Sequence, residues 1–488
     1  MRRSSAARYW SDRHIGTIVA GWSVFAAVVM GGWTSTAMAE TVEFGGALSS
    51  TVGVFILTCD DACEFLDYQN RNILDLELDA DLGPSVDARA AATLRNDTFP
   101  DVGRAEDSAK VENLQDVSMR FTDAWVAGYD VGVDGLDIRV GAQTERWGTG
   151  DGYSPSDRLN PYDLSDATQF DQRLAVPAAH ASFYTSSLTF SATWFPFFMP
   201  SMLSERVVDI AAGSEVADDV DLDDNVEGAT PEIENVRTRV ELPPQTLSES
   251  AVALRAQRAG SIADVAVGWY YGRDTLPQLS GEVIPENFFD GETTDLVVNL
   301  RYPKLQMVAA EARAPLFGSW TGWIDAALMI PSQTTVFISQ SRLEDLERLN
   351  AIDEAPDEDI SAEIQAGNPY PSFLVGADTS IGTSVYLNFQ YIHGFIFERN
   401  ASDLHHYGLV GLRAPAIDSS FEVELSGGVE ANQQFDAFGF LSQLGLNYRH
   451  DDVLELGLGA MFQSGQDGTT LGLFSELSEV RVRAAAHF

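Results

Sequence analysis

Cysteine is nearly absent from this sequence: Cys59 and Cys63 are the only two among its 488 residues. This scarcity excludes a scaffold held together by many disulfides. The close spacing of the pair favours one small disulfide loop if the chain is exported. A metal-binding pair is the weaker alternative, because a zinc site needs further Cys or His ligands and no His lies nearby in the sequence.

Basic residues are also scarce, since 30 Lys and Arg stand against 73 Asp and Glu and give a net charge of −43. This sign excludes nucleic acid as a partner and also excludes docking to a membrane through a basic patch. The stretch 198–249 carries Asp219, Asp221, Asp223 and Asp224, which offer oxygen ligands of the kind that Ca²⁺ accepts. It lacks the central Gly and final Glu of the usual calcium loop, so a solvated acidic loop is the alternative. No other cofactor is predicted.

Long apolar runs are missing after the N-terminal region, where Thr17–Trp33 follows several arginines and precedes Ala37-Met38-Ala39. A basic segment, an apolar run and a small-residue cleavage site together predict a secretory signal peptide over residues 1–39. No later segment reaches about 18 uninterrupted apolar residues, so no transmembrane helix is predicted in the rest of the chain. Residues 40–488 show no linker or break in composition, which predicts a single domain.

The sequence instead contains many segments in which apolar and polar residues alternate, as they do over 74–81, 136–143, 421–425 and 454–462. A period of two is typical of β-strands with one apolar and one wet face. The charged rows of these strands are candidates for the wall of a water-filled lumen: Asp75, Glu77, Asp79, Arg120, Asp137, Arg139, Glu311, Arg313, Asp325, Glu422, Glu424, Glu455, Arg481 and Arg483.

Two interpretations of these charges stay open at the level of the sequence. Acids and arginines that face each other across a pore would sort solutes by charge, and the acidic balance would favour cations. Cross-strand ion pairs that stiffen a filled barrel are the alternative.

Tight turns and long acidic stretches alternate along the chain. Turns are predicted near 82–85, 133–135, 185–187, 259–261, 381–383 and 450–452, and the long stretches between them cover about 97–112, 147–170, 198–249, 272–291 and 331–369. Long connections on one side of a sheet are expected of a transmembrane antiparallel β-barrel, and they are hard to obtain in a soluble sandwich.

The strand count depends on how two long segments are divided. If 292–314 and 468–488 are single long strands, the barrel has about 18 strands, with 16 as the alternative. The capping pattern Ser341-Arg342-Leu343-Glu344 predicts a short helix inside the 331–369 loop.

The last residues reinforce the prediction of a barrel. From Val480 to Phe488 apolar residues occupy every second position and Arg481, Arg483 and His487 lie between them. An exported chain with such a strand and a final Phe resembles the β-signal of Gram-negative outer-membrane barrels. The resemblance implies location in the cell outer membrane, contact with lipid and lipopolysaccharide, and assembly by the barrel assembly machinery through this strand.

A second resemblance concerns the segment after the strand at 136–146. Gln143, Trp147, Gly148, Asn160, Pro161 and Asp163 form a pattern similar to a loop of porin-like outer-membrane barrels. The resemblance implies an early loop that folds into the barrel. The constriction candidates in this loop are Trp147, Asp151, Tyr153, Asp157, Arg158, Asn160 and Asp163.

No catalytic residues are predicted, because no histidine is accompanied by a serine-centred or zinc-protease motif. The favoured function is therefore a non-enzymatic, porin-like channel for small solutes, narrowed near 147–163. A structural or surface-interaction barrel with acidic, Ca²⁺-binding external loops is the alternative. The sequence does not decide the oligomeric state.

Overall fold

The structure is a computed structural model that describes residues 41–55, 68–97, 116–165, 171–203, 232–286, 293–348, 359–365, 367–382, 384–416, 420–451 and 453–488. Three predictions fall outside these ranges: the signal peptide over 1–39, the disulfide between Cys59 and Cys63, and the calcium ligands Asp219, Asp221, Asp223 and Asp224. All three stay predictions.

The described elements are almost entirely β-strands. In chain order they are β1 (Thr41–Phe55), β2 (Tyr68–Asp81), β3 (Val86–Asp97), β4 (Asp116–Gly128), β5 (Leu136–Gln143), β6 (Asp163–Leu164), β7 (Val176–Tyr184), β8 (Thr189–Phe195), β9 (Met202–Leu203), β10 (Glu232–Val240), β11 (Ala251–Arg258), β12 (Asp264–Arg273), β13 (Gln278–Leu279) and β14 (Gly281–Glu282). They continue as β15 (Ile284–Glu286), β16 (Thr293–Arg301), β17 (Lys304–Pro315), β18 (Thr321–Pro331), β19 (Thr334–Ile338), α1 (Gln340–Arg348), β20 (Ile360–Gln365), β21 (Tyr370–Ile381), β22 (Val385–His393), β23 (His406–Pro415), β24 (Phe421–Ala431), β25 (Phe438–His450), β26 (Leu454–Gly465), α2 (Thr470–Leu473) and β27 (Glu479–His487).

Eighteen of these strands form one closed antiparallel sheet. Each wall strand pairs with the next along the chain, and β27 pairs with β1 from Ala47 opposite His487 to Phe55 opposite Glu479. Closure gives every wall strand two neighbours, which satisfies the backbone groups that an open edge would leave unpaired. The prediction of a barrel of about 18 strands is confirmed.

The two faces of the wall differ as the alternation predicts. Along β12 the outward residues Val265, Val267 and Trp269 are exposed, whereas Ala266 and Tyr270 point inward and are buried. The same outward row of exposed apolar side chains continues around the wall, for example at Phe121, Phe190, Leu254, Val308, Ile324, Phe389, Leu425, Leu444 and Leu458. So much exposed apolar surface is typical of contact with lipid.

Tight turns lie at one end of the barrel and long connections at the other. Leu82 N–H donates to Val86 O at 2.9 Å and closes the β2–β3 turn, and Thr185 N–H donates to Leu188 O at 2.8 Å in the β7–β8 turn. The long connections add three small sheets of their own: β10-β16-β13 with β15, β14-β19-β20, and the parallel pair β6-β9.

The prediction of one long strand over 292–314 is wrong. Thr293–Arg301 is β16, which pairs in parallel with β10 outside the wall. Only Lys304–Pro315 is a strand of the wall, β17. Val297, Val298 and Leu300 are buried in this outer sheet. An apolar pattern identifies a buried strand but does not say which sheet buries it.

The prediction of a single long strand over 468–488 is also wrong. Thr469 accepts a hydrogen bond from Gly472 N–H and caps α2, a 3-10 turn follows at Ser475–Leu477, and the wall strand begins only at Glu479. The short helix predicted near Ser341 is confirmed as α1. Within the described ranges, no helix is both long enough and apolar enough to cross a membrane.

Candidate functional site

The structure describes residues 144–165 and 171–175 of the connection between β5 and β7, and Ser156, Asn160 and Tyr162 are fully buried there. Asn160 fixes both ends of the connection. Its side-chain amide donates to Gln143 O at 3.2 Å and to Leu174 O at 2.9 Å, and its Oδ1 accepts from Glu145 N–H at 2.8 Å. One asparagine side chain therefore closes the loop at its base.

The described part of this connection hydrogen-bonds to the wall strands β18 and β22 and to the residue after β22. Ser156 Oγ donates to Asp325 Oδ2 on β18 at 2.9 Å. Asp151 N–H donates to Gln390 Oε1 on β22 at 3.1 Å, and Gln390 Nε2 donates to Asp151 O at 3.0 Å. Tyr153 Oη donates to Gly394 O at 3.2 Å. Each such bond contributes about 0.5–1.5 kcal/mol net, so several of them hold the loop in one position.

Trp147 anchors the loop on a wall strand. Its ring lies over Gly268 of β12, where an added Cβ would come within 2.3 Å of ring atom Cζ3. The ring is buried together with Leu159, Tyr270 and Met307. Only glycine at position 268 leaves room for this approach, because any side chain would meet the indole.

Charged groups of the loop are paired although they are buried. Asp157 Oδ2 lies 3.0 Å from Arg173 Nη2, and the side chains of Asp157 and Arg173 are only 5% and 1% exposed. Arg173 also stacks on Tyr162, with its guanidinium carbon 3.6 Å from the ring centre. Burial raises the pKa of Asp157 above its usual range, although Arg173 opposes this shift. Arg158 donates to Ile396 O at 3.3 Å.

Asp163 and Ser165 of the β5–β7 connection contact three arginines from neighbouring wall strands. Asp163 pairs with Arg120 of β4, and Ser165 Oγ donates to Asp163 Oδ1 at 2.6 Å. Arg95 of β3 donates to Ser165 Oγ at 2.7 Å, and Arg71 of β2 donates to Ser165 O at 3.3 Å. Burial opposes ionisation of Asp163, but Ser165 and Arg120 outweigh it and lower its pKa below the usual range.

The predicted lumen charges share the inner face and contact their neighbours. The pairs are Arg89 with Glu77 at 2.8 Å and with Asp79 at 3.0 Å, Arg139 with Glu145 at 2.6 Å, Arg255 with Glu311 at 2.5 Å, Arg313 with Asp378 at 3.5 Å, Arg413 with Glu422 at 3.8 Å and Glu424 at 2.8 Å, Arg481 with Glu479 at 3.5 Å, and Arg483 with Glu455 at 3.0 Å. Asp75 accepts from Thr93 Oγ1 at 2.5 Å and Asp137 from Asp130 N–H at 3.1 Å. Most of these contacts join different wall strands, whereas Arg481 and Glu479 lie on the same strand and Glu145 lies just after β5. Their effect on permeation stays a prediction.

Sequence reasoning missed several partners of the loop. Arg173, Ser165, Gln390 and Gly268 give no signal in the sequence, because each acquires its role only through contacts made by folding. The sequence does predict an ordered loop here, since Gly, Asn-Pro and Trp cluster in it.

A closed antiparallel barrel with an apolar outer band is the architecture of outer-membrane proteins, and the chain is a β-barrel of the cell outer membrane. No family model matches the chain, and no curated protein matches it. Among solved structures, the outer membrane protein OpdK of Pseudomonas aeruginosa is 9% identical with a TM-score of 0.48, over 92% of this chain and 99% of that chain. OccAB1 of Acinetobacter baumannii is 8% identical with a TM-score of 0.49, over 93% and 98%. OccK8 (OprE) of Pseudomonas aeruginosa is 8% identical with a TM-score of 0.47, over 93% and 99%.

Proposed function

We propose that this barrel is a non-enzymatic, porin-like channel for small solutes, and that residues 147–163 narrow its lumen. The observation that carries the proposal is the path of the β5–β7 connection, which hydrogen-bonds to Asp325 on β18 and to Gln390 on β22. A loop that spans the lumen reduces the cross-section open to solutes, and its polar groups line the path of the permeating solute.

Deletion of residues 148–163 tests the proposal in planar lipid bilayers with the refolded protein. Single-channel conductance should rise, because the deletion removes the groups that cross the lumen. Deletion of α1, Gln340–Arg348, is the control for shortening an external connection and should leave the conductance unchanged. An unchanged conductance after deletion of 148–163 contradicts the constriction.

A filled, structural barrel is the second candidate, and one observation favours it. Inward residues of several wall strands pack into apolar clusters. In these clusters Met307, Met329, Leu374 and Ile392 are at most 1% exposed. Apolar side chains packed across a lumen exclude water. A wild-type protein that shows no conductance in any bilayer would select this candidate.

Charge selectivity follows from the same recordings. The acidic balance of the chain supports a preference for cations, and reversal potentials in a salt gradient measure it. A reversal potential of the sign expected for anions contradicts the preference.

Several further parts of the proposal concern residues or partners beyond the described contacts. We infer export through the signal peptide 1–39, assembly by the barrel assembly machinery through the last strand, and cation-bridged contact of the acidic loops with lipopolysaccharide. The mass of the mature protein tests cleavage after Ala39 and, without reduction, the disulfide between Cys59 and Cys63. Thermal unfolding with and without a calcium chelator tests Ca²⁺ binding at Asp219–Asp224.

A further inference from the structure

Three titratable side chains meet at the outer end of the barrel, beside Gly394 and Ile396, which Tyr153 and Arg158 of the β5–β7 connection contact. Glu398 and His405 lie on the connection between β22 and β23, and Glu430 lies near the end of β24. Glu398 is 7% exposed and Glu430 is fully buried. The convergence joins separate parts of the chain, so the sequence alone gives no sign of it.

The potential ligand atoms of this cluster face one another. His405 Nδ1 lies 2.6 Å from Glu430 Oε1 and 3.6 Å from Glu398 Oε1. One ligand atom from each residue lies within 4.8 Å of the other two. The Tyr407 hydroxyl lies 3.2 Å from Glu430 Oε1 and also contacts Glu398 Oε1. An imidazole nitrogen, two carboxylate oxygens and a phenol oxygen thus surround one point.

Backbone amides orient the two carboxylates. Glu398 Oε2 accepts from Phe395 N–H and from His405 N–H, both at 2.8 Å, and Glu430 Oε2 accepts from Leu471 N–H at 2.7 Å. Each carboxylate therefore keeps its Oε1 toward the imidazole. Glu430 Oε1 also accepts from Thr470 N–H at 2.7 Å, and since a carboxylate oxygen has two lone pairs, an ion would replace the Tyr407 and His405 donors at the second one. Outer partners of this kind hold ligands in place in metal sites.

The cluster holds two carboxyl groups and one imidazole. Among the described residues, His405 is the only basic side chain in an ion pair with Glu398 or Glu430. Burying an uncompensated carboxylate is costly. A divalent cation bound by two carboxylates and a neutral imidazole would bring the net charge to zero, whereas a protonated His405 alone balances only one carboxylate.

We propose that Glu398, His405 and Glu430 bind one divalent transition-metal ion, with Zn²⁺ as the best match. Zinc accepts imidazole and carboxylate ligands in a tetrahedron, whereas Ca²⁺ and Mg²⁺ take oxygen ligands in larger numbers. Metal–ligand distances of about 2.0–2.2 Å place tetrahedral ligand atoms roughly 3.3–3.6 Å apart. The 3.6 Å between His405 and Glu398 fits this spacing, and the 2.6 Å between His405 and Glu430 widens as Nδ1 gives up its proton to the solvent.

An ion at this point would join three neighbouring external segments. Glu398 and His405 belong to the β22–β23 connection, Glu430 to β24, and Thr470 and Leu471 begin α2 in the β26–β27 connection. The ion would thus fasten the outer rim, whether or not the lumen conducts.

Zinc binding by the refolded full-length protein tests the proposal directly. The protein is stripped with a chelator, dialysed, and titrated with Zn²⁺ in excess Ca²⁺, which occupies surface carboxylates. We expect one equivalent of Zn²⁺ to bind with high affinity and to raise the melting temperature, and the chelator to reverse the rise. Absence of binding or of a chelator-reversible shift overturns the proposal.

Two variants locate the ion. His405→Gln keeps an N–H donor for Glu430 but removes the imidazole ligand, and it should weaken Zn²⁺ affinity more than about 100-fold, since loss of an outer partner alone costs about 10–100-fold. Glu398→Gln is the second variant, should His405→Gln fail to fold. Asp467→Asn, an exposed acid on the β26–β27 connection, is the control and should bind as the wild type does. Wild-type affinity in both His405→Gln and Glu398→Gln overturns the site.

Discussion

Gly46 and Phe488 exchange two backbone hydrogen bonds, from Gly46 N–H to Phe488 O and from Phe488 N–H to Gly46 O, both at 3.0 Å. The Phe488 ring lies against Gly46, where an added Cβ would come within 2.7 Å of ring atom Cζ and 2.4 Å of Asp75 O. The ring also lies 6.1 Å from that of Phe44 on the outer face. This contact extends the β1–β27 pairing that closes the barrel.

Replacement of Gly46 should therefore weaken closure. In Gly46→Leu the new side chain meets the Phe488 ring and the β2 backbone, and overpacking of this kind costs about 1–3 kcal/mol. We expect slower refolding into lipid vesicles and a lower free energy of unfolding in urea. Gly45→Ala is the control, because its Cβ meets only Phe488 O at an ordinary 3.5 Å. Equal behaviour of the two variants would show that the Phe488 contact does not support closure.

A side chain at position 268 should displace Trp147. Gly268→Ala puts a methyl group 2.3 Å from the indole, so the ring and the loop that carries it must move from the wall. We expect a change in tryptophan fluorescence and a larger single-channel conductance. Gly408→Ala on β23, which has open space around its Cβ, should change neither. A normal conductance together with an altered fluorescence would argue against a constriction at Trp147.

Removal of Arg173 should destabilise the loop more than removal of a surface arginine. Arg173→Ala leaves Asp157 buried without its partner, which typically costs about 3–5 kcal/mol. The exposed Arg348, 2.6 Å from Asp345 on α1, is the comparison, and Arg348→Ala should cost at most about 1 kcal/mol. Urea unfolding and limited proteolysis of the loop measure both. Because Asp157 has a raised pKa, the cost of Arg173→Ala should shrink in acid as Asp157 takes up a proton.

Acid should break the contact that Asp163 of the β5–β7 connection makes with Arg120. The pKa of Asp163 in the folded protein lies below the ordinary value of an aspartate, so the stability that its ionised form contributes is fully present above that ordinary value and is lost as the pH falls through the folded pKa. We expect the conductance to change reversibly below about pH 4, where the pairing with Arg120 ends. Asp163→Asn should show the altered conductance already at neutral pH and little further change in acid. A wild-type conductance that is constant through this range contradicts the role of Asp163.

Local patterns in the sequence predict the wall well. Alternation alone places β24 and β26 and their charged inner rows, because one face contacts lipid and the other does not. The same rule fails at β16, since its partner β10 lies far away in the chain and no local pattern records which sheet a strand joins. It also fails at α2, because a four-residue helix is too short to show a period.

The candidate site is predictable only in part. Glycines and Asn160 mark the loop because their roles are local, and Asn160 contacts Gln143 and Glu145 within the same segment. Trp147 marks it too, although its partner Gly268 on β12 is far away in the sequence. Glu398 and Glu430 meet only after β22, β23 and β24 have paired, so their shared position depends on register. Partners set by register lie beyond what spacing along one sequence can predict.

The two small outer sheets have a consequence for how other molecules recognise the cell surface. The strands β10, β13 to β16, β19 and β20 come from three consecutive external connections, and they pair between connections as well as within them. An antibody or a bacteriophage that binds there contacts a discontinuous epitope. Synthetic peptides copied from any one connection would fail to reproduce it, so immunisation against this surface requires the folded barrel.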